Sequence, residues 1–156
     1  MLRLELETRI AAPPEVCFDL SLDVDLHMAS TFPSQERAIA GVTSGVMQLG
    51  DDVTWEARHF GIPWRMTSRI VEYERPRRFA DEMQRGPFGR WRHVHLFQRI
   101  DGGTRMRDEI AFASPLGPLR RVVDAMVLRS YMTRLIERRN AYLKHAAEAA
   151  VREVVR

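Results

Sequence analysis

The residues best suited to chemistry are two aspartates and three histidines that interrupt apolar runs: Asp81, Asp108, His59, His93 and His95. Each lies in a segment in which apolar and polar residues alternate, and it occupies one of the positions that are otherwise apolar. The other residues at these positions are mainly aromatic or aliphatic. A carboxylate beside an imidazole orients the ring and raises its pKa, so the ring can hydrogen-bond a carbonyl or exchange a proton. Because burial of an unpaired polar group costs on the order of a few kcal/mol, these side chains need partners, a ligand or water.

The lengths of the connections predict which of these groups meet. If the turn at residues 85–89 closes symmetrically, Asp81 lies opposite His93. The same arithmetic for the turn at residues 101–104 places Asp108 opposite Phe97 and diagonal to His95.

Several interpretations of this cluster stay open. It can be a structural pair of buried histidines, each held by an aspartate. It can instead recognise a ligand, or perform acid–base catalysis with His93, His95, Asp81 and Asp108 as the catalytic residues. A metal ion held by His93 and His95, with His59 or an aspartate completing the site, rests on a His-x-His spacing that is common by chance, so we assign no metal ligand and no cofactor.

Five runs of period two between Val53 and Ala113 position these groups. Their alternation of apolar and polar residues is typical of an antiparallel sheet with one covered face. Short connections containing Gly or Pro make consecutive strands neighbours, which predicts a meander. The residues that this pattern places on the covered face, and that we predict to bind a ligand, are Trp55, His59, Trp64, Met66, Phe79, Asp81, Met83, Trp91, His93, His95, Phe97, Met106, Asp108 and Phe112.

The flanking segments complete the order of elements. Residues 1–10 alternate as a strand, and the next segment predicts two short helices, with Asp23 as the N-cap of the second. The irregular segment from Gly41 to Asp52 resembles a lid over a pocket. After a predicted break at residues 115–118, residues 119–150 contain neither proline nor glycine and predict one long helix. Its predicted apolar face, interrupted by Arg139, is formed by Leu128, Tyr131, Met132, Leu135, Tyr142, Leu143 and Ala146.

Length and composition limit the classes of function. The chain of 156 residues predicts one domain over residues 1–150 and a tail at 151–156. The net charge is +3, but the basic residues are interspersed with acidic ones, so we expect no nucleic-acid partner. The one cysteine, Cys17, is expected to be buried and inert, and His27 and His145 to lie on the surface. Without a signal peptide or an apolar run that could span a membrane, the expected location is the cytoplasm, and the oligomeric state stays open.

Several phrases of the sequence resemble bacterial proteins of the SRPBCC, or START-like, superfamily, which is grouped with polyketide cyclases, dehydrases and lipid carriers. The matching phrases are Trp55–Gly61, Arg78–Glu82, Arg85–Phe88, Trp91–Phe97, Gly103–Glu109 and Pro115–Leu119. The resemblance implies an α+β fold of the birch-pollen-allergen-like, helix-grip type. In that fold a curved antiparallel sheet of about seven strands wraps a long C-terminal helix, and two short helices follow the first strand.

The resemblance also implies a function. A START-like domain of this kind would bind a small hydrophobic molecule, such as a polyketide, lipid, quinone or aromatic metabolite, in a cavity between sheet and helix. The alternative is a cofactor-independent cyclase or dehydratase that uses a His–Asp acid–base pair in the same cavity. Function resides in the site rather than in the fold, so both alternatives stay open at this point.

Overall fold

The computed structural model describes residues 1–31, 34–113 and 121–156, and for residues 121–124 it describes the backbone alone. The elements are β1 (Leu2–Ile10), α1 (Pro14–Ser21), α2 (Val24–Ser30), β2 (Arg37–Gly41), β3 (Asp52–His59), β4 (Ile62–Glu74), β5 (Arg78–Arg85), β6 (Arg90–Ile100), β7 (Gly103–Ala113) and α3 (Arg121–Val154). This order confirms the predicted helix-grip fold. The predicted break at residues 115–118 and the predicted helix start at residue 119 lie outside the described residues.

The seven strands form one antiparallel sheet in the order β1-β7-β6-β5-β4-β3-β2. Strands β2 to β7 therefore form a meander, and β1 pairs with β7 at the edge of the sheet. The predicted pairing of Asp81 with His93 is confirmed. The predicted position of Asp108 opposite Phe97 is wrong, because strands β6 and β7 are joined by a tighter turn than we assumed and Asp108 lies directly opposite His95.

The helices cover one face of the sheet. Helix α3 packs against β1 and against both short helices. Asp23 caps α2 as predicted, since its Oδ1 accepts a hydrogen bond of 3.1 Å from the backbone N–H of Leu26. Cys17 is fully buried in α1, in agreement with the sequence analysis. No helix in the described ranges is long and apolar enough to cross a membrane.

The buried face of α3 differs from the predicted one. Over residues 125–154, whose side chains are described, it buries Met132, Ile136, Arg139, Asn140, Leu143 and Ala147. Tyr142, which we assigned to the apolar face, is 45% exposed. The difference arises because two polar residues occupy buried positions, where a pattern of apolar residues alone gives no signal. The helix continues to Val154, well into the segment 151–156 that we assigned to a tail.

Gly41 ends β2 in a conformation that other residues adopt with strain. Its φ is +74°, and a Cβ there would lie 2.2 Å from the carbonyl oxygen of Asp52. Gly50 has a similar φ of +85°, but a Cβ added to Gly50 would have no atom within 4 Å. An alanine at either position would have a strained φ, but only an alanine at position 41 would also clash with the backbone. We therefore expect Gly41→Ala to lower the free energy of unfolding by about 1–2 kcal/mol more than Gly50→Ala does. Urea unfolding of both variants measures the difference, and equal losses would contradict this account.

Candidate functional site

A cavity of about 160 Å³ lies between the covered face of the sheet, the short helices and α3. Most of its walls are apolar or aromatic, and three tryptophan residues line it. Nine of the fourteen residues predicted from the sequence are among the lining residues. They are Trp55, His59, Trp64, Met66, Phe79, Asp81, Trp91, His93 and His95.

The other five predicted residues lie behind the cavity wall or beside it. Phe97 and Met106 belong to the core cluster beneath the short helices. Phe112 belongs to a second core cluster, against which the partly buried Met83 packs. Asp108 is fully buried behind the histidines. Alternation along a strand identifies the covered face, but it does not distinguish residues that touch a cavity from those that only fill the core.

The cavity is also lined by residues that we did not predict to bind a ligand, and two of these, His27 and Glu36, are polar and in contact with each other. His27, which we assigned to the surface, lines the cavity, where its ring lies 4.3 Å from that of Trp55. Its Nε2 is 3.0 Å from Oε2 of Glu36, a residue of the connection between α2 and β2. No periodic pattern marks that connection, so the sequence offers no signal for Glu36. His145 is exposed, as expected.

Asp108 is the centre of the buried polar network. Its Oδ2 accepts a hydrogen bond of 2.6 Å from Nδ2 of Asn140, on α3. Its Oδ1 lies 2.7 Å from Nε2 of His93 and 3.2 Å from Nδ1 of His95, although the latter nitrogen is not aligned for a hydrogen bond. The guanidinium of Arg139 approaches the same oxygen to 3.8 Å. One carboxylate thus contacts both imidazoles from the side of β7.

Asp81 contacts the two imidazoles from the opposite side. Its Oδ2 lies 3.3 Å from Nε2 of His95 and 4.0 Å from Nδ1 of His93. The two rings are stacked, with centroids 3.7 Å apart. Each histidine is therefore placed between two carboxylates, whereas the sequence analysis considered one aspartate for each histidine.

Burial dominates the electrostatics of the network. Burial and the neighbouring His95 lower the pKa of His93 to about 4, although the carboxylates of Asp108 and Asp81 oppose this shift. The carboxylates thus act on the pKa of His93 in the expected direction, but burial and His95 outweigh them and the pKa is lowered overall. Burial acts to raise the pKa of Asp108, but the hydrogen bond with His93 and the close approach of His95 hold that pKa well below its usual value. At neutral pH the network thus contains a neutral His93 and an ionised Asp108.

Further polar groups stand around the cavity. Nδ1 of His59 is 2.6 Å from the hydroxyl of Tyr131, on α3. Nε1 of Trp64 and Oγ of Ser68 are buried and have no hydrogen-bond partner among the described residues. Because an unpaired buried donor is costly, these two atoms favour a ligand that carries a hydrogen-bond acceptor.

Comparison with known proteins supports the fold and gives a family. The family described as "Polyketide cyclase / dehydrase and lipid transport" matches residues 1–148. No curated protein matches the chain.

Solved structures of low sequence identity share the architecture. TTHA0849 from Thermus thermophilus is 18% identical, with a TM-score of 0.78 over 96% of this chain and 99% of that one. SA2116 from Staphylococcus aureus, a protein of unknown function, is 13% identical, with a TM-score of 0.74 over 97% of this chain and 96% of that one. The major latex-like protein 151 of Panax ginseng is 12% identical, with a TM-score of 0.66 over 94% of this chain and 97% of that one. At these identities the similarity concerns the fold.

Proposed function

Because the chain belongs to the polyketide cyclase, dehydrase and lipid transport family, we propose that it binds a small hydrophobic molecule in the cavity between the sheet and α3. The observation that carries the proposal is an aromatic cavity whose wall holds two buried donors without a partner in the described part of the chain. An apolar void of about 150 Å³ is enough to admit a benzene-sized molecule. Burying apolar surface stabilises a complex by about 25 cal/mol per Å², so such a cavity favours a hydrophobic ligand.

The polar groups suggest which hydrophobic ligands fit. Trp64 Nε1 and Ser68 Oγ offer donors to a carbonyl or hydroxyl oxygen. Arg139, which also lines the cavity, adds a guanidinium. Flat rings pack well against aromatic walls, and oxygen substituents would pair with these donors. We therefore favour a polyketide, quinone or aromatic metabolite over a saturated lipid.

The alternative, a cyclase or dehydratase, would use the His–Asp cluster as an acid–base pair. A general base works best when its pKa lies near the working pH. A pKa of about 4 makes His93 a weak base at neutral pH, and its Nε2 is already directed at Asp108. These two observations favour a role of the cluster in binding over proton abstraction by His93.

Binding of a small neutral fluorescent probe, 1-naphthol, tests the proposal. We expect saturable binding at one site per chain. Ala57 is buried on β3 and lines the cavity, so Ala57→Phe would place a ring inside it and weaken probe binding by about tenfold or more. Fluorescence titration of both proteins measures the effect.

The matched control is Ala111→Phe, the same change on the opposite face of the sheet, where Ala111 on β7 is half-buried. This variant is expected to bind the probe as the wild type does. Circular dichroism checks that both variants are folded. A wild-type protein that shows no saturation, or an Ala57→Phe variant with unchanged affinity, would show that the cavity is not the binding site.

A further inference from the structure

The geometry points to a site for a divalent transition-metal ion, held by the carboxylate of Asp81, Nδ1 of His93 and Nε2 of His95. One ligand atom from each of these residues lies within 4.8 Å of the others. Two imidazoles and one carboxylate are a donor set that first-row transition metals prefer. The inference goes beyond the proposed function and does not depend on it, although both concern the same cavity.

The separations of the donor atoms suit coordination. Bonds of about 2.0–2.2 Å to nitrogen and oxygen place neighbouring ligand atoms roughly 3–3.5 Å apart around one ion. Asp81 Oδ2 and His95 Nε2 are already 3.3 Å apart. The distance from Asp81 Oδ2 to His93 Nδ1 is 4.0 Å, so a displacement of less than about 1 Å brings these two atoms to the separation that one ion requires.

Asp108 supplies the outer contact that metal-binding histidines require. A histidine that binds a metal through one nitrogen usually donates its other N–H to a carboxylate, which fixes the tautomer and the ring orientation. Asp108 Oδ1 lies beside the far nitrogen of both rings, at 2.7 Å and hydrogen-bonded for His93, and at 3.2 Å without hydrogen-bond alignment for His95. The near nitrogens are thereby directed at Asp81. Asn140 and Arg139 hold Asp108 in turn.

The remaining coordination positions face the cavity, because Asp81, His93 and His95 all line it. Three protein ligands with an open position are typical of sites where a metal contacts a small molecule rather than of closed structural sites. Imidazole nitrogen disfavours Mg²⁺ and Ca²⁺, which prefer all-oxygen sites. From the sequence we assigned no metal ligand because a His-x-His spacing is common by chance, and the spacing does not show that Asp81 and Asp108 lie on opposite sides of the two rings.

Titration of EDTA-treated, desalted protein with Co²⁺ tests the inference through the visible ligand-field absorption of the bound ion. We expect one ion per chain, displaced by one equivalent of Zn²⁺. Because Zn²⁺ would bind the folded state, a hundredfold excess over its dissociation constant should raise the melting temperature by about 5–10 °C. Absence of both Co²⁺ absorption and a Zn²⁺-dependent shift would overturn the inference.

Variants assign the site to these residues. Asp81→Asn and His95→Gln remove a ligand and should weaken Zn²⁺ binding by more than about 100-fold, since even outer partners contribute about 10–100-fold. Asp81 is partly exposed, so Asp81→Asn decides the question if His95→Gln does not fold. His145→Ala, on the exposed surface, should bind the ion as the wild type does. Unchanged affinity in Asp81→Asn would also overturn the inference.

The hydrophobic-ligand site and the metal site are tested by independent experiments. The apolar probe titration is run on EDTA-treated protein, and the Co²⁺ titration is run without probe. Loss of metal binding with saturable probe binding overturns the metal site alone, and the reverse result overturns the hydrophobic ligand alone.

Discussion

We expect Asp108→Asn to lower the free energy of unfolding by about 3–5 kcal/mol, the usual cost of removing one partner from a buried charged network. Asp108 is fully buried and accepts hydrogen bonds from Asn140 and His93. It is also the carboxylate that lies 3.8 Å from the buried guanidinium of Arg139. An amide in its place would present an N–H₂ group to neighbours that are themselves donors, and would leave the guanidinium without this counter-charge.

Urea unfolding of the wild type and the variant measures this loss. The matched control is Glu109→Gln, which makes the same chemical change at the next position of β7. Glu109 is 44% exposed and pairs with Arg107 at 3.2 Å, so its contribution should not exceed about 1 kcal/mol. A difference of less than about 1 kcal/mol between the two variants would mean that Asp108 does not hold the network together.

Much of this architecture could be predicted from the sequence because successive residues of a strand point to opposite faces of the sheet. Alternation placed Asp81 and both histidines on the covered face, and the connection between β5 and β6 gave the correct pairing of Asp81 with His93. The register of β6 with β7 was missed because it depends on the number of residues in the turn. The hairpin closes on the pair Ile100–Gly103, which places Asp108 opposite His95.

The rest of the site depends on contacts between elements that are distant in sequence. Asn140 reaches Asp108 from α3, 32 residues further along the chain. Glu36 meets His27 across the end of α2. Neither residue carries a local pattern, since a polar residue at a buried helix position is indistinguishable in sequence from one on the exposed face. Such contacts decide which polar groups surround the cavity, and they follow from the packing of α2 and α3 on the sheet.

The second large effect is expected for Phe18→Ala, which should lower the free energy of unfolding by about 3–5 kcal/mol. Phe18 projects from α1 and is fully buried. Its ring meets those of Tyr73, Phe79 and Phe97 edge to face, at centroid distances of 5.2, 5.3 and 5.5 Å. Truncation leaves a void where three rings lose their common neighbour, and edge-to-face pairs contribute about 0.5–1.5 kcal/mol each beyond area burial.

This substitution also tests whether the aromatic core helps to position the His–Asp cluster. Phe79 contacts Phe18 and also stacks on the imidazole of His95 at 4.1 Å, so one ring lies between Phe18 and the cluster. Phe18→Leu keeps part of the volume and should lose less stability, and Phe60→Ala, at a site 61% exposed, should lose less than about 1 kcal/mol. Urea unfolding ranks the three variants. If Phe18→Ala proved no more destabilising than Phe60→Ala, α1 would not be anchored through this aromatic cluster, and the support of His95 would have to come from the Asp81 and Asp108 carboxylates alone.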